Sequence, residues 1–400
     1  MRGGWKLGFV IPALMCLVVA LDLGLRFMPL ELVAFRTWEP ALRRELPAWG
    51  GFEPGKVVVK TDAYGDLASM GNLPSFRQYR REEFRVDRFG FRNSHLSDAA
   101  MYKGVVVGDS YVVAHDEPWE LTLPGQLSRL AGARFYNAGA PSTISPEIVC
   151  ALASELKISS GVVVYLLLER IARWGPPKMI ERPAPDELPD QRTGHPQAAS
   201  AVARVQFPEV SQWIWPVQPT PGRIISQKLF KRVQNDVLLP NPYAKAVIRR
   251  KLQNGDEMLF IPWDLDPLGD VNALSSNWQT YLSWFAGKLA KRNLSMVVLL
   301  VPNKYTVYGP LVAGSSGAAN GDRLLVGIED GLRRAGMPVV NLTATFRQAA
   351  ADGLPRRDYL YWQDDTHWNA RGIGIAADQL WEQIPSKYVA SRNTPYPPDL

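Results

Sequence analysis

Five short apolar runs rich in β-branched residues recur along the chain, and helical stretches separate them. They are Gly104-Val-Val-Val-Gly108 and residues 134–138, 162–168, 296–301 and 339–342. Between them, residues 121–130, 146–157, 272–291 and 322–334 carry helical patterns. Continuous apolar runs suit strands buried on both faces. Their alternation with helices predicts an α/β fold, a parallel sheet with helices on both sides. Residues 101–390 form the expected main domain.

Three segments fall outside this pattern. Residues 36–100 read as a polar lead-in punctuated by Gly and Pro. Residues 173–270 read as an insertion dense in Pro and Trp, with Gly175-Pro-Pro177 and Trp213-Ile-Trp215-Pro216, and with one or two helices expected over 228–252. Such an insertion either shapes a substrate cleft or elaborates the surface. Residues 1–35 hold an uncharged apolar run, Leu7 to Leu21, after Arg2 and Lys6, and apolar residues continue past Asp22 and Arg26 to Phe35. That continuation favours a transmembrane anchor. A signal peptide cleaved after Val18-Val19-Ala20 and a buried helix are the alternatives.

Composition narrows the function. With 45 Lys and Arg against 39 Asp and Glu, the net charge is +6 and the two signs are interspersed, which argues against a nucleic-acid partner. Cys16 and Cys150 are the only cysteines, too few for a disulfide framework or a Cys-based zinc site. The pattern requires no metal and no cofactor.

The chemistry-bearing residues sit at two places. Gly108-Asp109-Ser110 closes the first strand, and ligands of parallel sheets bind beyond the carboxyl ends of strands. A serine there can expose its hydroxyl while its own N–H faces the same space, although Gly, Asp and Ser are also ordinary turn residues. A serine nucleophile needs a base. Of the four histidines, His95 and His115 have no evident partner in the sequence and His195 lies in the insertion. His367 stands in Asp364-Asp365-Thr-His-Trp-Asn369. Asp365, or Asp364 in a tighter turn, can orient the ring so that Nε2 faces Ser110. Alternatively these acids cap the last helix, where Asn369 is the better placed cap.

Together these residues resemble the SGNH (GDSL-type) hydrolase superfamily: Gly-Asp-Ser after the first strand, Gly139 in Asn137-Ala-Gly-Ala-Pro-Ser142, and the late Asp/His pair. Gly90-Phe-Arg92, Glu169-Arg170, Pro302-Asn-Lys304-Tyr305-Thr-Val-Tyr308 and Asp365-Thr-His-Trp368 are similar to the AlgX/AlgJ-type O-acetyltransferases of exopolysaccharide assembly. The resemblance implies a flavodoxin-like α/β/α sandwich and transfer of an acetyl group through an acetyl-serine to a sugar hydroxyl. It implies a polysaccharide acceptor, a multi-pass membrane exporter supplying the acyl group, and a single-pass protein of the bacterial inner membrane with its catalytic domain in the periplasm. Because the third strand runs into Leu168-Glu169-Arg170, the oxyanion hole would rest on the Ser110 and Gly139 N–H groups. Arg170, Lys304, Tyr305 and Trp368 are candidate substrate-binding residues. Arg170 could also pair with Glu169, and Trp368 could equally pack in the core. The serine precedes Asp-x-His, the usual superfamily order, so no particular polysaccharide is implied. An esterase using the same triad and a non-catalytic scaffold of an assembly complex are the competing readings.

Overall fold

The computed structural model of the chain describes residues 4–25, 32–34, 36–42, 49–94, 102–140, 144–179, 221–233, 247–315 and 322–384. In chain order the elements are α1 (Gly4–Leu25), α2 (Trp38–Ala41), β1 (Val57–Ala63), α3 (Asp66–Met70), β2 (Arg80–Arg85), β3 (Tyr102–Gly108), α4 (Ser110–Val113) and α5 (Leu123–Ala131). They continue with β4 (Arg134–Gly139), α6 (Pro146–Glu155), β5 (Gly161–Leu168), α7 (Glu169–Arg173), α8 (Pro221–Val233), β6 (Ile248–Lys251) and β7 (Glu257–Phe260). The last group is α9 (Val271–Ala290), β8 (Leu294–Val301), α10 (Lys304–Tyr308), α11 (Asp322–Arg334), β9 (Val339–Asn341), α12 (Thr343–Gly353) and α13 (Ala370–Trp381).

All five apolar runs become strands of one parallel sheet, ordered β4-β3-β5-β8-β9. Numbered by appearance in the sheet, that is 2-1-3-4-5, the flavodoxin-like order. Its crossovers diverge beside the first strand and leave a crevice at that strand's carboxyl end. The central strands explain their own composition. Every residue of β5, Gly-Val-Val-Val-Tyr-Leu-Leu-Leu, is buried, because helices cover both faces. Val106, Val164 and Leu299 face a core shared with α5, α12 and α13, while Val107, Val163 and Val298 face one shared with α6, α9 and α11. The result is the expected three-layer α/β sandwich.

The helix boundaries have local causes. The Thr122 hydroxyl accepts from Gly125 N–H at the start of α5, and Gly132, at φ 58°, ends it. Asp270 caps α9. Asn369 caps α13 by accepting from the Arg371 and Gly372 N–H groups, so the acids before it are free for other work.

The transmembrane part of the expectation is corrected. The first helix, α1, contains Pro12, and among the described residues no helix is long and apolar enough to cross a membrane. The uncharged run from Leu7 to Leu21 gives about 22 Å of helix at 1.5 Å per residue, short of a hydrocarbon core of about 30 Å. The single-pass anchor, the inner-membrane and periplasmic location and the exporter partner fall with it. In the Pro- and Trp-rich stretch, residues 180–220 and 234–246 lie outside the described residues. The helix expected over 228–252 is found earlier, as α8. Residues 248–251 instead pair antiparallel with β7 as a strand, with Arg249 opposite Leu259 and ion-paired diagonally to Glu257.

Residues 49–94 are packed against the sheet. β1 and β2 form an antiparallel hairpin, and Asp87 accepts from the Tyr136 hydroxyl of β4 at 2.5 Å. The buried Arg92 guanidinium donates to the carbonyls of Glu83, Val113, Ala114 and Glu117, joining the hairpin to the turn after α4. Burial draws Arg92 down to about 10, which still leaves it charged at neutral pH. Arg92→Met should therefore lower stability by at least about 2 kcal/mol, since buried carbonyls lose their donor. Thermal unfolding of variant and parent would read this, and an unchanged Tm would show that the join contributes nothing.

Candidate active site

The turn after β3 places Ser110 at the first residue of α4, where Asp109 caps the helix by accepting from Tyr111 N–H at 3.0 Å. Ser110 Oγ lies 2.8 Å from His367 Nε2, and His367 Nδ1 lies 2.6 Å from Asp365 Oδ1. Residues 257 and 255 positions apart in the chain thus form a continuous hydroxyl–imidazole–carboxylate array. His367 N–H also donates to Asp365 Oδ1 at 3.0 Å, so the Asp-x-His turn curls back on itself.

Of the two acids, Asp365 meets the ring. Asp364 turns the other way and accepts from Gly65 N–H (2.7 Å), Gln78 N–H (2.9 Å) and Arg80 Nη1 (3.2 Å). Gly65 is needed there, because a Cβ would come within 2.1 Å of the Asp364 carbonyl.

Electrostatics set the protonation states. Burial alone would push His367 down, but the Asp365 carboxylate, through its charge and its hydrogen bond, lifts the ring to about 9. Burial works against the Asp365 charge too, yet His367 and then Arg80 hold it well below the usual carboxylate range. Ligand atoms of Asp66, Asp365 and His367 fall within 4.8 Å of one another. All three are engaged: Asp66 accepts from the Thr366 N–H and hydroxyl, and Arg80 already brings a positive charge to Asp365.

The other candidates are placed as follows. The Gly139 N–H donates to Asn137 Oδ1 at 2.8 Å, so this expected oxyanion donor is spent. A Cβ on Gly139 would meet Val113 N at 2.5 Å, so close packing of β4 on α4 accounts for the glycine. The Ser110 N–H opens α4 and has no acceptor within that helix. Arg170 does not pair with Glu169. Its Nε and Nη2 grip Asp264 at 3.0 and 3.3 Å, and Glu169 takes Arg173 at 2.9 Å. Lys304 is buried, with Nζ donating to the carbonyls of Trp362, Gln363 and Asp365 at 2.6, 3.1 and 2.9 Å, and it clamps the acid-bearing loop instead of lining a cleft. Tyr305 packs edge-on against Phe260. Trp368 is fully buried beside Tyr111, to whose carbonyl its Nε1 donates.

Sequence reasoning missed the hairpin residues Asp66 and Arg80, and it left His115 without a partner. The His115 ring lies edge-on to His367 at 5.3 Å, and burial holds it well below its ordinary value. The spacing of polar residues in β2 could have suggested a strand, but nothing local links it to a loop some 285 positions away. His95 and His195 lie outside the described residues.

Comparison with known proteins bears on this arrangement. Residues 253–396 match the family model described as SGNH hydrolase-like domain, acetyltransferase AlgX. Over those residues the chain matches an SGNH hydrolase-like domain of the AlgX/AlgJ branch. That is a catalytic superfamily of hydrolases and transferases. The matched part of the SGNH hydrolase-like domain holds Asp365 and His367 and begins after Ser110. No curated protein matches the chain. Among solved structures, the crystal structure of an acetyl xylan esterase, AlAXEase, is 11% identical and covers 70% of this chain and 98% of its own, with a TM-score of 0.33. A second crystal structure is 11% identical over 72% of this chain and 97% of its own, with a TM-score of 0.31. Likeness at that level says nothing of the reaction.

If His367 acts as the base it must first lose its proton, so kcat/KM should climb about tenfold per pH unit toward a limb near 9. A rate–pH profile would read it. A limb near the free imidazole value, about 6.5, would mean that Asp365 does not govern the ring in solution.

Proposed function

We propose that the chain is a serine O-acyltransferase that moves an acetyl group through an acetyl-serine on Ser110 to a carbohydrate hydroxyl. The observation that carries the reading is the Ser110–His367–Asp365 array, at 2.8 and 2.6 Å, at the carboxyl end of the first strand of the parallel sheet, with Asp365 and His367 inside the residues that match an SGNH hydrolase-like domain. The description of the matching family as an acetyltransferase supports transfer over hydrolysis.

In this reading Ser110 Oγ attacks the acetyl carbonyl while its proton passes to His367 Nε2. Asp365 holds the ring in the tautomer with Nδ1 protonated and stabilises the imidazolium that forms. The Ser110 N–H donates to the carbonyl oxygen as it gains charge. Collapse expels the donor's leaving group, which takes the proton from His367 and leaves acetyl-Ser110. A sugar hydroxyl then attacks that ester, gives its proton to His367, and releases the acetylated sugar. The same proton returns to Ser110. Water in place of the sugar would make the same site an esterase.

Ser110→Ala should abolish turnover of an acetyl-ester reporter and remove the acetyl-sized adduct seen on the parent by intact-mass spectrometry. Adding an oligosaccharide acceptor to the parent should divert acetyl groups from water to sugar. An adduct that persists in the variant would remove Ser110 from the mechanism, and release to water alone would replace transfer with hydrolysis.

A further inference from the structure

We infer that Arg80 is a positioning residue for the reaction: from a hairpin outside the parallel sheet, it holds the Asp365 carboxylate in register with His367. The inference rests on the reading of Ser110, His367 and Asp365 as the reacting array.

The two oxygens of Asp365 divide the work. Oδ1 faces His367, accepting from Nδ1 at 2.6 Å and from the backbone N–H at 3.0 Å. Oδ2 faces the hairpin, accepting from Asp66 N–H at 2.8 Å and from Arg80 Nη2 at 3.3 Å. A carboxylate held at both oxygens cannot rotate about its Cβ–Cγ bond, and that rotation is the freedom that would mis-aim the imidazole. Arg80 Nη1 reaches Asp364 Oδ1 at 3.2 Å and the Gln78 carbonyl at 3.1 Å, so one guanidinium spans both acids of the loop.

The guanidinium is itself fixed. Its face lies 4.4 Å over the Trp362 ring, and its side chain is 8% exposed. The Trp362 N–H donates to the His367 carbonyl at 3.2 Å, and its Nε1 donates to Glu117 Oε1 at 3.1 Å. Arg80 is therefore packed between the acid it binds and an indole that hangs on the backbone of the base. Trp362 also walls an open cleft of about 610 Å³ lined by Gln78, Glu117, Tyr359 and Gln363.

The charged groups around the acid come from every neighbouring element. Asp66 comes from α3, Arg80 and Glu82 from β2, His115, Asp116 and Glu117 from the turn after α4, and Asp364 and His367 from the loop, with Arg36 ahead of α2. Burial raises Asp66 and Asp116 and brings Glu82 and Glu117 up to about 7. Arg80 is the arginine in contact with the Asp365 carboxylate, while Lys304 from α10 reaches the carbonyl of the same residue at 2.9 Å, and removal of Arg80 leaves the carboxylate oxygens to the imidazolium and the Asp66 N–H.

The experiment compares Arg80→Gln and Arg80→Lys with the parent, reading kcat, KM for the acetyl-ester reporter, the rate–pH limb and Tm. Without the cation the carboxylate holds the imidazolium more tightly, so in R80Q the acidic limb should move to higher pH by on the order of 1 unit. R80K keeps the charge and loses the planar fork, so its limb should stay in place while kcat falls roughly tenfold. KM should be unchanged in both. A merely structural arginine would lower Tm without moving the limb. An unmoved limb in R80Q, or a parental kcat in R80K, overturns the inference. If R80Q does not fold, R80K carries the test alone: lost kcat on an unmoved limb supports the role, and parental kcat ends it. The Ser110 acetyl adduct on the parent separates the two readings. Its absence would sink the array and this inference together, whereas its presence with flat Arg80 variants would sink only the role of Arg80.

Discussion

A carboxylate buried away from water is stable only when other groups answer its charge, and Asp365 is such a carboxylate. His367 answers on one side, and Arg80 with the Asp66 N–H on the other. The loop that carries it is fixed from beneath by Lys304, whose ammonium gathers three of its carbonyls. Thr366 is tied to Asp66 through both its N–H and its hydroxyl, and its carbonyl accepts from the Tyr111 hydroxyl beside Ser110. Long-range polar bonds from several elements therefore converge on four consecutive residues, 364 to 367. They draw together the hairpin, the turn after β3 and the helix after β8.

The sheet supplies the other half of the geometry. Because β3 lies between β4 and β5, the turn at its end opens into the crevice where the crossovers diverge, and Ser110 stands at that point. The late loop reaches the same place because it follows β9 and α12 and precedes α13, whose inner face packs in the same core as Tyr111 and Trp368. A hydrophobic core thus brings two polar segments together across more than 250 residues. The final ångström is set by the hydrogen bonds, since packing alone fixes where the loop lies but not how the ring turns.

What could be read from the sequence follows from this division. The five strands were legible because burial on both faces leaves a local mark, a run of β-branched residues, and the start of the last helix because Asn369 is a local cap. Ser110, His367 and Asp365 were legible as a pair of short motifs. The hairpin was not, because Asp66 and Arg80 act on residues some 285 to 300 positions away and carry no signal in their own neighbourhood. Lys304 was expected to line a cleft, and Trp368 was left between cleft and core, for a related reason. A lysine or tryptophan near a strand end suggests a cleft, and only the packed structure reveals that each points inward, to carbonyls in one case and to aromatic rings in the other. The apolar N-terminal run was misread because its composition resembles that of an anchor, while its length falls short of one.

The clearest sign of specialisation is the divergence of two adjacent acids. Asp364 and Asp365 are both buried, both touch Arg80 and are neighbours in the chain. Yet burial raises Asp364 from its ordinary value, while Asp365 is held well below its own, chiefly by His367. Asp66, Asp116, Glu82 and Glu117 are likewise raised. Among these acids, the one held below its ordinary value is the one whose oxygen faces the imidazole. Environments that push neighbouring titratable groups apart are how one fold assigns separate tasks to chemically identical side chains. The arrangement is intelligible if the acids that burial raises serve as hydrogen-bonding structure around a single carboxylate that stays charged while the histidine beside it gains and loses a proton.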